Sequence, residues 1–138
     1  MDPISITTAC LAIAKYALST ANEAHGIITK WKDAPYVITA LHTHLKLVHH
    51  HNTRLNAYLA QDANVFLADE VETLRMSLAE CQAAMAQLRQ HIAPTTSSSP
   101  GFFKRLKHVW NEPLLKENEQ RLKTQLDAQQ QLIQISQL

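Results

Sequence analysis

The residues best suited to chemistry in this 138-residue chain are histidines and cysteines. Five of its eight histidines cluster in one short stretch, His42, His44, His49, His50 and His51. The spacing of seven within two of the pairs places their members two helical turns, about 10 Å, apart. Zinc needs three or four converging ligands with supporting carboxylates. The spacing therefore favours a histidine-rich solvated surface that gains positive charge as pH falls toward about 6, and metal binding stays open as the alternative.

The two cysteines, Cys10 and Cys81, each fall within an apolar helical pattern. No activating base lies beside either one in sequence, so we expect buried, reduced thiols. A disulfide between them stays open as the alternative. The chain shows no glycine-rich phosphate loop and no paired carboxylates of an evident cleft. We therefore expect no catalytic residue, no cofactor and no resident metal, and a protein that is not an enzyme.

The composition indicates an all-α fold. Hydrophobic residues make up 46% of the chain, and it has only two glycines and five prolines. Good helix formers, namely Ala, Leu, Gln, Lys and Glu, dominate. A chain of this length supports one core, so residues 1–138 are predicted to form a single domain. The formal net charge of +1 is too small for nucleic acid to be the main partner.

The sequence predicts four long helices, which contain these histidines and cysteines. The first runs over residues 4–30 and ends at the break from Trp31 to Pro35, where Asp33 caps the next helix. The second ends near Ala60, the third covers residues 67–92, and residues 94–101 form a mobile loop. Their apolar seams repeat at steps of three and four: Ile38, Leu41, Leu45, Val48, Leu55 and Leu59 with the polar Asn52, then Leu67, Val71, Leu74, Leu78, Cys81, Met85, Leu88 and Ile92.

The fourth helix is predicted to be split. A short amphipathic piece over residues 102–110 precedes a long helix that Asn111 caps. Asn118 and Gln129 interrupt the apolar seam of the long helix, and its uncharged, glutamine-rich end is either weakly held or continues further. Because short connections favour antiparallel neighbours, we expect an up-down four-helix bundle with a short extra helix before the long final one, and with the first helix largely enclosed.

The first helix is the candidate functional element. Residues 4–21 are apolar apart from Lys15, and about 18 residues span roughly 27 Å, short of a hydrocarbon core. We therefore expect no permanent membrane anchor, and the start of the chain lacks the pattern of a secretory signal. Its many small residues allow close packing in a soluble core or between inserted copies. If the segment enters a membrane, the inserting positions are Ile4, Ile6, Ala9, Leu11, Ile13, Ala14 and Leu18.

A second candidate is the cluster of cations and aromatics before the last helix. Lys104, Arg105, Lys107 and His108 lie between Phe102, Phe103 and Trp110. Such a segment is typical of an interfacial anchor on anionic lipid. The residues alone favour a different interpretation, in which the aromatics belong to the core and the cations to a solvated edge.

Four pieces of the sequence resemble a known family. These are the opening MDPISIT, the break KDAP over residues 32–35, the helix that contains Cys81, and the LKHVW element over residues 106–110. Together they resemble the HeLo-like N-terminal domain of fungal NLR-like (STAND) receptors, over almost the whole chain. That domain is related to the cell-death executioner bundle of mixed lineage kinase-like proteins.

The resemblance implies a cytoplasmic helical bundle that acts in programmed cell death during fungal self/non-self recognition (heterokaryon incompatibility) or innate immunity. It implies that the first helix is released on activation, and that oligomers then move to the plasma membrane and form pores. The expected partners are anionic membrane lipids, further copies of the chain and an upstream NLR-like sensor, and no nucleic acid. The alternative is a non-lytic signalling or oligomerisation module that recruits a partner protein.

Overall fold

The computed structural model describes residues 3–30, 36–61, 66–92 and 112–136, and each range is essentially one helix. The helices are α1 (Pro3–Lys30), α2 (Tyr36–Gln61), α3 (Ala68–Ile92) and α4 (Glu112–Ser136). They form a compact bundle, which confirms the predicted all-α fold. The loop predicted at residues 94–101 and the short helix predicted at residues 102–110 lie outside the described residues.

The apolar repeat of each helix becomes its buried face. In α2 every predicted seam position is buried, including the polar Asn52. Asn118 and Gln129 are likewise buried in α4, between Leu115, Leu122 and Leu126. A repeat with alternating steps of three and four keeps one stripe of a helix pointed at its neighbours, which is why the periodicity located the core.

The start of α3 differs from the prediction at one residue. Leu67 was expected to open the apolar seam, but it is exposed, and the neighbouring Phe66 is buried instead. Leu67 lies at the N-cap, where its carbonyl accepts the first helical bond from Val71 at 2.9 Å. Its own N–H donates to Oε1 of Glu70 at 2.7 Å. This is the carboxylate half of a capping box, which satisfies a backbone donor that the helix cannot.

The four helices alternate in direction. Contacts of His49 with Ala14 and of His25 with His42 show that α1 and α2 are antiparallel. Arg121 meets Glu80 and Gln87 while Gln129 meets Ser77, which makes α3 and α4 antiparallel as well.

The neighbours around the bundle are less simple than a meander of consecutive helices. α1 packs most extensively on α2, and α3 packs on α4, while the α1–α3 and α2–α4 interfaces are smaller. Within the described ranges, α2 and α3 make little or no direct contact, although they are consecutive. The bundle is therefore two antiparallel hairpins laid side by side, with α1 parallel to α3 and α2 parallel to α4. The expectation that short connections join neighbours holds for α1 and α2 and is wrong for α2 and α3.

Candidate functional site

The buried face of α1 combines three isoleucines, Ile6, Ile13 and Ile27, with a seam of small side chains. Cys10, Ala14, Ala17, Ala21 and Ala24 recur at steps of four and three, and each is at most 3% exposed. A seam of this kind lets two helix axes approach closely, because no long side chain separates the backbones. The expectation of close packing through small residues is thus met in the bundle itself, where α1 has its largest interface with α2.

α1 is not enclosed, contrary to our expectation. It occupies a corner of the bundle, with α2 and α3 as its extensive partners in the described part of the chain. Leu11 is 44% exposed and Tyr16 is 37% exposed, and Lys15 beside them faces solvent. A helix at the corner of a four-helix bundle keeps one stripe in water, so a nearly apolar sequence does not by itself make a central helix.

The residues predicted to insert into a membrane fall on both sides of this helix. Ile6, Ile13 and Ala14 are buried, Ala9 and Leu18 are half-buried, and Leu11 is exposed. The side chain of Ile4 lies outside the described part. In the folded bundle these positions therefore do not form one lipid-facing surface, and presenting all of them to a bilayer requires α1 to leave α2 and α3.

Arg89 of α3 joins three residues of α1. Its guanidinium carbon lies 4.4 Å from the centroid of the Tyr16 ring. Nη2 donates to Oγ of Ser19 at 3.3 Å and lies 3.7 Å from Oε1 of Glu23. Tyr16, Ser19 and Glu23 follow one another at steps of three and four, so they share one face of α1. This contact was not predicted from the sequence. Charged residues that flank an apolar seam were the signal that could have indicated it.

The histidines of α2 are interfacial rather than a solvated surface, which corrects the sequence interpretation. His50 is exposed, whereas His42, His44, His49 and His51 are half-buried. Two of them face α1: Nδ1 of His49 donates to the backbone carbonyl of Ala14 at 2.8 Å, and the His42 ring lies 5.5 Å from that of His25. Burial lowers the pKa of His42, and the positive charges of His25 and Lys46 lower it further.

The other two half-buried histidines face α4. Nδ1 of His44 lies 2.8 Å from Oε1 of Glu119, although the carboxylate is not aligned with a ring N–H. Burial lowers the pKa of His51, and the polar side chain of Gln129 partly opposes that shift. A half-buried histidine is costly to charge, because the protonated ring loses hydration.

Both cysteines are buried and free, as expected. Burial raises the pKa of Cys10 and of Cys81 to about 12. Nε2 of Gln129 donates to Oγ of Ser77 at 2.8 Å and approaches Sγ of Cys81 at 3.6 Å. A thiol with so high a pKa carries almost no thiolate at neutral pH, so neither cysteine is an activated nucleophile in the folded bundle.

Neither a metal cluster nor a membrane span is found in the described helices. Among residues 3–30, 36–61, 66–92 and 112–136, no three His, Cys, Asp or Glu side chains are grouped so that they could hold a metal ion. Within the same ranges, none of the helices combines the length and the apolarity that crossing a bilayer requires. The predicted lipid-facing residues, Phe102, Phe103, Lys104, Arg105, Lys107 and Trp110, lie outside the described residues.

Comparison with known proteins gives no relative. The chain matches no model of a protein family, and no curated protein or solved structure matches it significantly. The case for a function therefore depends on the sequence resemblance and on the geometry of α1.

Proposed function

We propose that this domain permeabilises the plasma membrane during programmed cell death in a fungal immune-type response, with α1 as the membrane-active helix. The observation that carries the proposal is the position of α1 at a corner of the bundle, held through a seam of small side chains. Alanine buries far less apolar surface than leucine, so the small seam positions between the buried Ile13 and Ile27 each add little to the attachment of α1. Detachment of α1 leaves the α3–α4 and α2–α4 interfaces in place.

The proposed action is conditional and cooperative. Since no described helix is apolar enough to span a bilayer, a single α1 would lie in the headgroup region with its apolar residues facing the acyl chains. Several copies, each with Lys15 facing water, then perturb the bilayer together. Anionic lipid is the expected target, and an upstream NLR-like sensor is the expected trigger.

Dye release from anionic liposomes tests this proposal. We expect the domain to release dye from anionic liposomes. We expect Leu11→Glu to abolish this leakage, because the substitution places a charge on the membrane-active segment. Leu11 is 44% exposed in the bundle, so the folded state tolerates a polar side chain there. The matched control is Leu47→Glu on α2, where the leucine is 47% exposed. Absence of leakage at any protein concentration, or equal loss in both variants, contradicts the proposal.

A second function is favoured by a different observation. An apolar groove open to solvent lies between α1 and α3 and is lined by Ala12, Ile13, Tyr16, Gln82 and Met85. A groove of this kind between two parallel helices accepts the apolar face of a partner helix. In this alternative the domain recruits a partner protein, and α1 stays in the bundle throughout. Association without leakage, weakened by Ala12→Glu, is its expected result.

A further inference from the structure

Two kinds of contact attach α1 to the rest of the bundle, and they differ in strength along the helix. Between Ile13 and Ile27, which are themselves buried, the apolar seam contributes single methyl groups, at Ala14, Ala17, Ala21 and Ala24. A methyl group removes little surface from water, and the apolar free energy scales with the area removed. Polar and aromatic contacts at the edge of the seam therefore account for a larger share of the attachment than they do between leucine-rich helices.

Arg89 supplies several of these edge contacts at once. The guanidinium lies over the Tyr16 ring, donates to Ser19 and pairs with Glu23, which covers two turns of α1. The side chains of Arg89 and Glu23 are 31% and 18% exposed, so water screens their attraction less than that of a fully exposed pair. Arginine suits this role because its planar group stacks on an aromatic ring and still donates hydrogen bonds at its edge.

The position of these contacts matters for release. α1 and α3 are parallel, and Arg89 lies near the end of α3 that is level with the second half of α1. The residues predicted to insert lie in the first half, before Ser19. The contacts of Arg89 keep the whole of α1 docked. While Tyr16 and Glu23 are held, the N-terminal residues of α1 cannot move far from the bundle.

The geometry points to Arg89 as an autoinhibitory latch, a side chain of α3 that sets how often α1 leaves the bundle by holding Tyr16, Ser19 and Glu23 together. Its biological role as the brake on membrane attack rests on the proposed function. The latch itself is a property of the folded bundle and is measurable without any membrane.

Cys10 provides the readout. It is fully buried in the seam of α1, so a maleimide reaches its thiol only when α1 opens. The experiment measures the labelling rate of Cys10 in a Cys81→Ser background, where the serine hydroxyl still accepts from Nε2 of Gln129. We expect Arg89→Ala to speed labelling about tenfold, the factor that corresponds to about 1.4 kcal/mol of opening free energy. Arg89→Lys keeps the positive charge but loses the stacking on the Tyr16 ring and the several N–H donors of the planar guanidinium, so it should give an intermediate labelling rate.

Arg121→Ala is the matched control. Arg121 of α4 also pairs with a glutamate of a neighbouring helix, Glu80 of α3, but touches no residue of α1 in its described contacts. We expect Arg121→Ala to lower the overall free energy of unfolding and to leave Cys10 labelling within about twofold of the parent, because helices open locally at lower cost than the whole bundle unfolds.

Three outcomes overturn the latch. One is an unchanged labelling rate in Arg89→Ala, and another is equal acceleration in Arg121→Ala, which would mean that Cys10 reacts through unfolding of the whole bundle. The third concerns Glu23→Gln: if it speeds labelling as much in the Arg89→Ala background as in the parent, Arg89 and Glu23 act independently and do not form one device.

The failure of the latch and that of the proposed function are distinguishable. Faster Cys10 labelling in Arg89→Ala, with no liposome leakage by any variant, supports the proposed role of Arg89 and contradicts membrane permeabilisation by α1. Leakage that depends on Leu11, with labelling unaffected by Arg89, supports the pore and contradicts the latch.

Discussion

The small-residue seam of α1 makes a prediction that tests the packing argument directly. Ala17 is fully buried in the middle of the small-residue seam of α1. Replacing it with leucine adds three carbons where the helix axes approach closely, so α1 must move away or the new side chain must adopt a strained rotamer. Overpacking of this kind costs about 1–3 kcal/mol.

The size of the thermal effect follows from the length of the chain. An entropy of unfolding near 2.1 cal/mol/K per residue, taken over 138 residues, converts that cost into a lower Tm by about 3–10 °C. Thermal unfolding followed by circular dichroism at 222 nm measures it. The matched control is Ala57→Leu, the same substitution at an exposed position of α2, for which we expect a change within about 0.5 kcal/mol.

Two results would refute the reasoning about the seam. If Ala17→Leu unfolds within about 1 °C of the parent protein, the interface has room for a leucine and the helices do not approach closely there. If Ala57→Leu is destabilised to the same extent, the loss comes from leucine in a helix rather than from the seam. A lower Tm together with faster labelling of Cys10 would link the packing of this seam to the release of α1.

Three further predictions concern the polar groups of the bundle. Burial lowers the pKa values of His42 and His51 below their unfolded value, so their contribution to stability is fully present above about pH 6.5 and is lost as pH falls toward the folded values. Urea unfolding between pH 8 and 5 should show this decline in the free energy of unfolding, and the double variant His42→Gln/His51→Gln should show a smaller decline. An unchanged pH dependence in the double variant would contradict the assignment to these histidines. Arg121→Ala removes the donor to Oδ1 of the buried Asn118 at 2.9 Å. We expect it to lower the free energy of unfolding in urea by about 1–2 kcal/mol, because a buried acceptor is left unpaired. A loss below about 0.5 kcal/mol would show that Asn118 Oδ1 does not depend on Arg121 for its hydrogen bond. Asn52→Leu removes an Oδ1 that is buried without a hydrogen-bond partner among the described residues. We expect this substitution to raise the free energy of unfolding by about 1 kcal/mol. Destabilisation would show that the space around residue 52 does not accommodate a leucine side chain.

Sequence reasoning located the helices and their buried faces well. Asp33 and Pro35 indicated the break after Lys30. The spacing of apolar residues located the polar seam positions Asn52 and Gln129, because a period of 3.6 residues is a property of each helix alone. The start of α3 was missed by one residue, since Leu67 fits the apolar repeat but functions as a cap through its backbone.

The candidate site was predicted only in part. Residues 4–18 were singled out by their low charge and small side chains, and the structure describes them from Pro3 onward as one continuous helix. Their division into buried and exposed positions depends on where α2 and α3 lie, and the contacts of Arg89 with Glu23 join residues far apart in the chain. No local pattern encodes such a pair, because either side chain is compatible with solvent.

Composition and periodicity establish that this protein is helical, that its helices are amphipathic, and that its first helix is apolar and rich in small residues, because both act within one helix at a time. The packing of the helices on one another places α1 at a corner, keeps α2 and α3 from being neighbours, and puts the half-buried histidines of α2 between helices. Those outcomes depend on which apolar faces fit one another, and complementarity between distant surfaces appears only when the helices pack together.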